Sequence, residues 1–295
     1  MSEVSADSAR TRILGIGLAL VGYSFFAAQD ALVKWLVVDY TVPQILFFRS
    51  LVVVGVLRAF VSRRASAVTR SGSQSPIFFR AVLVLFAWLL YYTAARYLSL
   101  VELTTMYFMA PVFVVVLSAI FLHEQVGLGR WISCLIGFAG VIIAANLGGA
   151  PSLVPAILVL FASMCWAWSV VLARVVAQTQ GTTLQMLAIS LVFLIACAPA
   201  LPFLWKTPTY VDLWLLVGVG LASAVGQFFL YESFRYAPAS AIATVEYSSL
   251  AWAFLYGHLI WAEPLSPHMI LGSTLICLAC FALLCSEHLA HKQRG

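Results

Sequence analysis

Four charged side chains lie inside long apolar runs of this sequence. Asp30, Arg49, Glu102 and Glu246 each have mostly apolar residues on both sides. In the middle of a bilayer a charged side chain costs about 2.5–3.5 kcal/mol on the insertion scale, so such residues usually mark a cavity or a charge partner. A carboxylate in this position can bind the amine of a substrate, carry a coupled proton, or do both. The four residues are therefore candidates for substrate binding or coupling.

Three of the four also have a structural interpretation. Asp30 and Arg49 lie in neighbouring runs, and they either form an ion bridge between two helices or face a cavity. Glu102 lies near the start of its run, where a negative charge stabilises a helix N-terminus. It therefore either caps that helix or contacts substrate. Glu246 has no lysine or arginine in its own run, and we interpret it as a cavity-lining residue.

Aromatic residues near these charges offer a second kind of contact. Trp88 and Tyr92 are four residues apart, which places them on one face of a helix, and Tyr107, Trp166 and Tyr231 lie in other apolar runs. Such rings can stack on a planar or cationic ligand. Core packing is the simpler explanation for any one of them alone. As a group beside the carboxylates they predict an amphipathic cavity.

Pro111 interrupts the run that begins with Glu102. Proline has no N–H and clashes with the carbonyl four positions earlier, which here belongs to Tyr107. The freed carbonyl needs another partner, and a broken helix that lines a cavity provides one. We therefore predict a helix break at Pro111, with an ordinary kink as the alternative.

The overall composition requires lipid around this chain. Of 295 residues, 63% are apolar and 9% are charged, and the mean hydropathy is +1.02. A soluble chain carries about 25% charged residues, and a soluble fold of this size cannot hide so much apolar surface. The composition therefore predicts a membrane protein. All six cysteines lie in apolar runs, where we expect them to pack as small apolar residues and to form neither disulfides nor a metal site.

Ten runs are long and apolar enough to cross a membrane as helices of about 20 residues. No segment between them is large enough to form a soluble domain, so any chemistry must occur within the helices or at their ends. We expect an all-α membrane protein with ten transmembrane helices. The runs cover residues 13–33, 42–61, 77–97, 100–121, 130–147, 153–176, 183–204, 211–235, 239–260 and 267–286.

The positions of lysine and arginine predict the orientation of these helices. With the N-terminus in the cytoplasm, twelve of the 16 basic residues, Arg80 among them, belong to the inner side. Only Lys34, Arg96 and Lys206 belong to the outer side, and Arg49 lies within a run. This bias agrees with the positive-inside rule. We expect a multi-pass protein of the inner (plasma) membrane with both termini in the cytoplasm, and no nucleic-acid partner despite the net charge of +5.

The two halves of the chain resemble each other. A shift of 139 residues places Arg96 on Arg235 and Glu124 on Glu263, although identical pairs are sparse. The spacing of the ten runs supports the duplication better, because each half holds five of them. An odd number of spans means that the second copy enters the membrane in the opposite orientation. Inverted repeats of this kind are the physical basis of alternating access in secondary transporters.

Several short motifs occur around the fourth and fifth runs. They are RYLSL before the fourth run, APVF within it, LHE at its end, RW at the start of the fifth run, and GFAGV inside that run. Together they resemble the EamA repeat of the drug/metabolite transporter (DMT) superfamily, and the second half is similar but more diverged. The resemblance implies two EamA repeats, at residues 13–147 and 153–286. It implies a 5+5 inverted repeat of ten helices around a central cavity.

The resemblance also implies a function. Members of the family carry amino acids, S-adenosylmethionine, riboflavin or nucleoside-like compounds, and the chain is most similar to the S-adenosylmethionine and riboflavin type. Many relatives have a glutamate where Glu102 stands, which implies a binding or coupling role for this residue. We expect a secondary active transporter that moves a small organic metabolite by alternating access, with or without proton coupling. We expect no cofactor, no metal and no obligate protein partner.

The sequence disfavours two other classes of function. An intramembrane enzyme is disfavoured because the sequence holds no HExxH or GxSxG motif and no evident pair of catalytic aspartates. A channel or scaffold is disfavoured because a pore requires a ring of like groups from a symmetric assembly, whereas the duplication makes one chain self-sufficient. The sequence also lacks a Walker A motif, so we do not expect the chain itself to use ATP.

Overall fold

The computed structural model describes most of the chain, and every regular element that it describes is helical. The described residues are 2–60, 75–121, 153–177, 179–237 and 248–262, with the shorter pieces 132, 135–136, 139–140, 143, 242, 245–246, 267–268, 270–275 and 278. The α-helices whose bounds the structure describes are α1 (Ser2–Leu36), α2 (Val42–Phe60), α3 (Ser75–Ala94), α4 (Leu100–Tyr107), α5 (Met109–Phe121), α6 (Leu153–Ala177), α7 (Thr182–Cys197), α8 (Leu201–Leu204), α9 (Tyr210–Tyr236) and α10 (Ser248–Trp261).

Six segments in the described residues are long and apolar enough to cross a membrane. They lie in α1, α2, α3, α6, the stretch Thr182–Leu204 that covers α7 and α8, and α9. Each coincides with one of the predicted runs. The predicted run 100–121 is divided into the two short helices α4 and α5. The runs 130–147, 239–260 and 267–286 lie partly outside the described residues.

The outer surface of the bundle is apolar, as expected for contact with lipid. Phe161, Ile195 and Phe203 are 61%, 73% and 88% exposed, and other large apolar side chains on the same helices are also exposed. A soluble monomer rarely exposes such extensive apolar surface. Together with the long apolar helices, this surface makes the chain a helical membrane protein.

Helices from the two halves of the chain pack against each other more than against their own neighbours. In the described residues the most extensive contacts are those of α1 with α9, α3 with α6, and α2 with both α7 and α9. Each of these contacts joins a helix that precedes residue 122 to one that follows residue 152. The space at the centre of the bundle is therefore enclosed by both halves.

Glycines allow the close approach of α1 and α9. A Cβ atom added to Gly22 would lie 3.0 Å from the Leu230 backbone N and 3.1 Å from the Gly226 carbonyl oxygen. A Cβ atom on Gly226 would lie 3.1 Å from the Gly22 carbonyl oxygen. Small residues at such crossings let helix backbones pack tightly in membranes. The crossing fixes α1, which carries Asp30, against the second half.

An exposed ion pair joins the loops that precede α2 and α9. Lys206 Nζ lies 2.6 Å from Asp39 Oδ1, and the two side chains are 54% and 62% exposed. The Gln44 side chain also bonds to the backbone N–H and carbonyl of Lys206. The hydrogen bond to Asp39 raises the pKa of Lys206 from its ordinary value.

Candidate functional site

A cavity lies inside the bundle, between α1, α3, α4, α6 and the residues that precede and begin α10. In the part of the chain that the structure describes, its wall holds two carboxylates, seven aromatic rings and four small side chains. The carboxylates are Asp30 and Glu246.

Asp30 lies on α1 and has one carboxylate oxygen without a partner. The Tyr91 hydroxyl donates a hydrogen bond to Asp30 Oδ2 at 3.2 Å. Asp30 Oδ1 is buried and has no hydrogen-bond partner among the described residues. A carboxylate oxygen is a strong acceptor, and leaving it unpaired in the interior is unfavourable. Asp30 therefore has an acceptor available for a ligand in the cavity.

Glu246 lines the same cavity as Asp30, from the second half of the chain. It is 5% exposed, and its polar neighbours are the Tyr23 hydroxyl and the indole N–H of Trp166. The Trp166 nitrogen makes no hydrogen bond of regular geometry with a described residue. No ion pair joins Glu246 to a described lysine, arginine or histidine. Glu246 is thus a buried carboxylate with polar and aromatic neighbours and no cation.

Trp88 lies at the centre of the aromatic wall. Its ring centroid is 5.9 Å from that of Phe26, 6.1 Å from that of Tyr91 and 6.3 Å from that of Trp166. Tyr107 extends the wall, with its centroid 5.0 Å from that of Tyr91. Packed aromatic pairs have centroids about 4.5–7 Å apart, so these rings form one continuous surface.

Arg49 lies behind this wall and does not line the cavity. Its guanidinium carbon is 4.9 Å from the Trp88 ring centroid and 5.4 Å from that of Phe193. Its Nε donates to the Gln29 side-chain oxygen at 3.3 Å, and the Gln29 amide in turn donates to the Tyr92 hydroxyl. Among the described residues the ion bridge between Arg49 and Asp30, left open by the sequence, is not formed. Arg49 and Tyr92 support the wall from outside.

Glu102 takes part in a capping box at the start of α4. Its carboxylate accepts a hydrogen bond from the Ser99 N–H at 2.9 Å, and the Ser99 hydroxyl accepts one from the Glu102 N–H at 3.1 Å. This reciprocal arrangement satisfies two N–H groups that a helix N-terminus leaves free. Glu102 is not among the residues that line the cavity.

The fourth predicted run is interrupted where it meets the cavity. α4 ends at Tyr107, Phe108 forms a turn, and Pro111 is the third residue of α5. Pro111 cannot bond to the Tyr107 carbonyl, and the interruption begins directly after that residue. Tyr107 and Phe108 both line the cavity, so the break lies at its wall.

Tyr231 belongs to a separate buried cluster around Arg80, away from the cavity wall. The Arg80 guanidinium carbon lies 4.4 Å from the Tyr231 ring centroid. Arg80 donates to the Gln185 side-chain oxygen at 3.0 Å and to the Ser169 carbonyl at 3.2 Å. Arg80 was counted with the basic residues of the inner side; it lies inside α3 and is 2% exposed. It joins α3 to α6, α7 and α9.

The structure thus separates the predicted site residues into two groups. Asp30, Trp88, Tyr107, Trp166 and Glu246 meet around the cavity, whereas the remaining four lie elsewhere.

Sequence reasoning left Tyr23 and Phe26 out of the predicted site, although both line the cavity. They precede Asp30 by seven and four residues, a spacing that places all three on one helix face. That spacing is the signal that would have found them. Among the described residues no group of three or more His, Cys, Asp or Glu side chains could hold a metal ion.

Comparison with known proteins agrees with a membrane transporter. The model of the EamA-like transporter family matches residues 13–146 and again residues 153–285. The pseudopaline exporter of Pseudomonas aeruginosa is 27% identical over 276 residues, which cover 91% of this chain and 95% of that protein. The S-adenosylmethionine uptake transporter of Rickettsia bellii is 22% identical and covers 98% of this chain and 99% of its own length.

A third relative and a solved structure complete the comparison. The riboflavin transporter of Vibrio cholerae is 26% identical over 199 residues, which cover 66% of this chain and 64% of that protein. A protein crystal structure with 15% identity matches 97% of this chain with a TM-score of 0.65. At this identity the match concerns the fold alone.

Proposed function

Because the chain belongs to the EamA-like transporter family, whose model matches it twice, we propose that it is a secondary active transporter of a small organic metabolite. It works in the inner membrane by alternating access. The observation that carries this proposal is the cavity inside the bundle, with carboxylates from both halves of the chain in its wall.

The proposed architecture is ten transmembrane helices in two inverted repeats of five, at residues 13–147 and 153–286, with both termini in the cytoplasm. Two observations support it. The family model matches each half separately, and the most extensive helix contacts in the described residues join one half to the other. Two halves that pack mainly on each other can rock about a site between them.

Alternating access requires that contacts at one end of the cavity break when that end opens. The Arg80 cluster is the best candidate for such a contact at one end. Arg80 lies in the N-terminal part of α3, whereas the cavity residues Trp88 and Tyr91 lie in its C-terminal part. Its bonds reach α6 and α7 of the second half. Opening towards that end would separate these partners.

The substrate is proposed to bind between Asp30 and Glu246, against the rings of Trp88, Tyr107 and Trp166. The classes considered are amino-acid-like, S-adenosylmethionine-like, riboflavin-like and nucleoside-like compounds. Relatives named as transporters of S-adenosylmethionine and riboflavin support two of them. Glu246 is the group proposed to exchange a proton if transport is proton-coupled, since it is a buried carboxylate that no described cation neutralises.

Flux into proteoliposomes tests this proposal. Purified protein is reconstituted and the uptake of labelled S-adenosylmethionine, riboflavin, amino acids and nucleosides is measured with and without a pH gradient. We expect saturable uptake of one class, and a Glu246→Gln variant that inserts normally but does not transport.

Glu232→Gln is the matched control, because Glu232 lies outside the cavity and bonds to Thr182 and Arg235. Equal uptake by Glu246→Gln and wild-type protein would remove Glu246 from the mechanism. Dependence of the rate on the pH gradient in wild-type protein and its loss in a transporting Glu246 variant would assign the coupling to this residue.

A further inference from the structure

The charged side chains in the described part of the cavity wall are all of one sign. In the described part of its wall the only charged side chains are the carboxylates of Asp30 and Glu246, and no lysine, arginine or histidine takes part. Asp30 accepts a hydrogen bond from the Tyr91 hydroxyl, and Glu246 lies beside the Tyr23 hydroxyl and the Trp166 indole N–H. Buried charges are normally paired, because an isolated charge is strongly disfavoured in an apolar interior.

The two buried arginines do not balance these carboxylates by direct contact. Arg49 is held by Gln29 and lies on the far side of the Trp88 ring. Arg80 bonds to Gln185 and to the Ser169 carbonyl, in a different part of the bundle. Neither forms an ion pair with Asp30 or Glu246 in the described residues. Arg49 attracts Asp30 through space without contacting it, and no described cation acts on Glu246. A cation bound in the cavity would therefore be the first to contact either carboxylate.

The rings around the carboxylates can also hold a cation. The face of a tryptophan, tyrosine or phenylalanine ring attracts an ammonium group within about 6 Å of its centroid. Phe26, Trp88 and Trp166 are packed next to each other in the wall, and Tyr91 and Tyr107 follow. An acidic pair inside an aromatic surface matches a ligand whose positive charge is attached to an apolar or planar body.

Two polar atoms of the wall indicate where such a ligand would bond. Asp30 Oδ1 makes no hydrogen bond of regular geometry with a described residue, and neither does Trp166 Nε1, which lies beside the Glu246 carboxylate. An ammonium N–H can fill the first, and a hydroxyl, ether or ring nitrogen on the body of the ligand can fill the second.

We propose that this cavity binds an organic cation, a metabolite that carries an ammonium or sulfonium group between Asp30 and Glu246 and has an aromatic or heteroaromatic body. The inference rests on the proposed transport function and names its substrate class. Neutral and anionic analogues of the same shape bind more weakly, because they leave the carboxylates without a counter-charge.

Matched probes test the charge requirement directly. Binding to detergent-purified protein is measured by calorimetry and thermal shift for S-adenosylmethionine and S-adenosylhomocysteine, which differ by a methyl group and the sulfonium charge. The same measurement is made for tryptamine, tryptophol and indole-3-acetate, which carry cationic, neutral and anionic groups on one ring system. A wider panel of cationic metabolites with neutral counterparts is screened in the same way.

The expected result is that the compounds which stabilise the protein are cations, with affinities at least tenfold above those of their neutral or anionic partners. Asp30→Asn and Glu246→Gln each lower cation affinity at least tenfold. Asp39→Asn and Glu232→Gln, the same changes outside the cavity, leave it unchanged. The proposal is wrong if no cation in the panel stabilises the protein, or if neutral or anionic partners bind equally well.

Flux measurements separate this inference from the proposed function. If proteoliposomes transport a neutral or anionic metabolite and no cation, the transporter stands and the cation site is refuted. If cations bind with the expected charge selectivity but no panel compound is transported, the site stands and the transport function is refuted.

Discussion

The two buried arginines and the two cavity carboxylates of this protein are held in different ways. Arg49 and Arg80 are both 2% exposed, and each rests on aromatic rings while donating to neutral oxygen atoms. Asp30 and Glu246 line the cavity, and an oxygen of Asp30 has no hydrogen-bond partner in the described residues. The arginines are held by protein oxygen atoms and rings, whereas the carboxylates are exposed to whatever enters the cavity.

This difference separates charges that are bonded to protein atoms from charges that face the cavity. An ionised group that is fully bonded to protein atoms contributes to the packing of the helices around it. An ionised group that faces a cavity without a counter-charge is unfavourable for the protein alone. Its presence is explained by a ligand or a proton that completes it.

The largest effect is expected from neutralising the carboxylates. Asp30→Asn and Glu246→Gln should each reduce ligand affinity at least tenfold, while the thermal midpoint of unfolding in detergent stays equal or rises. The reason is that a neutral amide is less costly to bury than an unpaired carboxylate. Affinity and thermal midpoint are measured on the same preparations. A large fall in the midpoint would mean that the carboxylates are structural, and would reverse the comparison.

Removing the buried Arg80 should instead lower the stability of the protein. We expect Arg80→Ala to lower the free energy of unfolding by about 2–4 kcal/mol, since hydrogen bonds to a charged group contribute roughly 1.5–3 kcal/mol each. Arg80→Lys keeps the charge but not the planar fork, so its stability should lie between those of the wild-type protein and Arg80→Ala. Arg58→Ala is the control, because Arg58 is exposed near the end of α2. Unfolding is followed by denaturant titration, and equal stability of the Arg80 and Arg58 variants would contradict the structural role.

A smaller effect is expected from removing the indole N–H of Trp166. Trp166→Phe keeps an aromatic ring but removes the N–H, so affinity should fall about three- to tenfold, as expected for the loss of one hydrogen bond. Trp168→Phe is the control, because Trp168 packs on Phe121 with centroids 4.4 Å apart and does not line the cavity. Calorimetry with the tightest-binding probe measures both variants. Identical losses in the two would exclude a specific bond to Trp166.

The smallest effect concerns Glu102, which the family resemblance connects with binding and the structure places in a capping box. Glutamine also serves at this position of a capping box, so Glu102→Gln should retain both stability and transport. Glu102→Ala should lower stability by about 1 kcal/mol, the usual magnitude for a lost cap. Loss of transport in a stable Glu102→Gln protein would instead assign this carboxylate to binding or coupling.

The sequence predicted where the helices lie along the chain better than it predicted which face of each helix points to the cavity. Apolar runs locate membrane helices because lipid requires about 20 consecutive apolar residues, and the long described helices lie on the predicted runs. The interruption after Tyr107 also follows from a local rule, since proline removes one N–H. These are properties of short segments, so no knowledge of the partner helix is needed.

Which side of each helix faces the cavity could not be predicted in the same way. Trp88 and Tyr92 share a helix face, yet Trp88 lines the cavity and Tyr92 lies behind it. The burial of Arg80 was not predicted, because the positive-inside rule considers only which side of the membrane a cation is near. Its burial depends on Gln185 and Tyr231, which are far away in sequence. Apolar periodicity is weak when lipid and protein core are equally apolar, so such contacts need the three-dimensional packing.

Solute counterflow in proteoliposomes tests the central claim most directly. Vesicles are loaded with a high concentration of the unlabelled compound that stabilises the protein best, and a trace of labelled compound is added outside. A carrier whose cavity opens to one side at a time produces a transient accumulation of label above equilibrium. We expect this overshoot for wild-type protein and for Glu232→Gln, and none for Glu246→Gln. Simple equilibration without overshoot in wild-type vesicles, or an undiminished overshoot in Glu246→Gln vesicles, would contradict an alternating cavity built around Asp30 and Glu246.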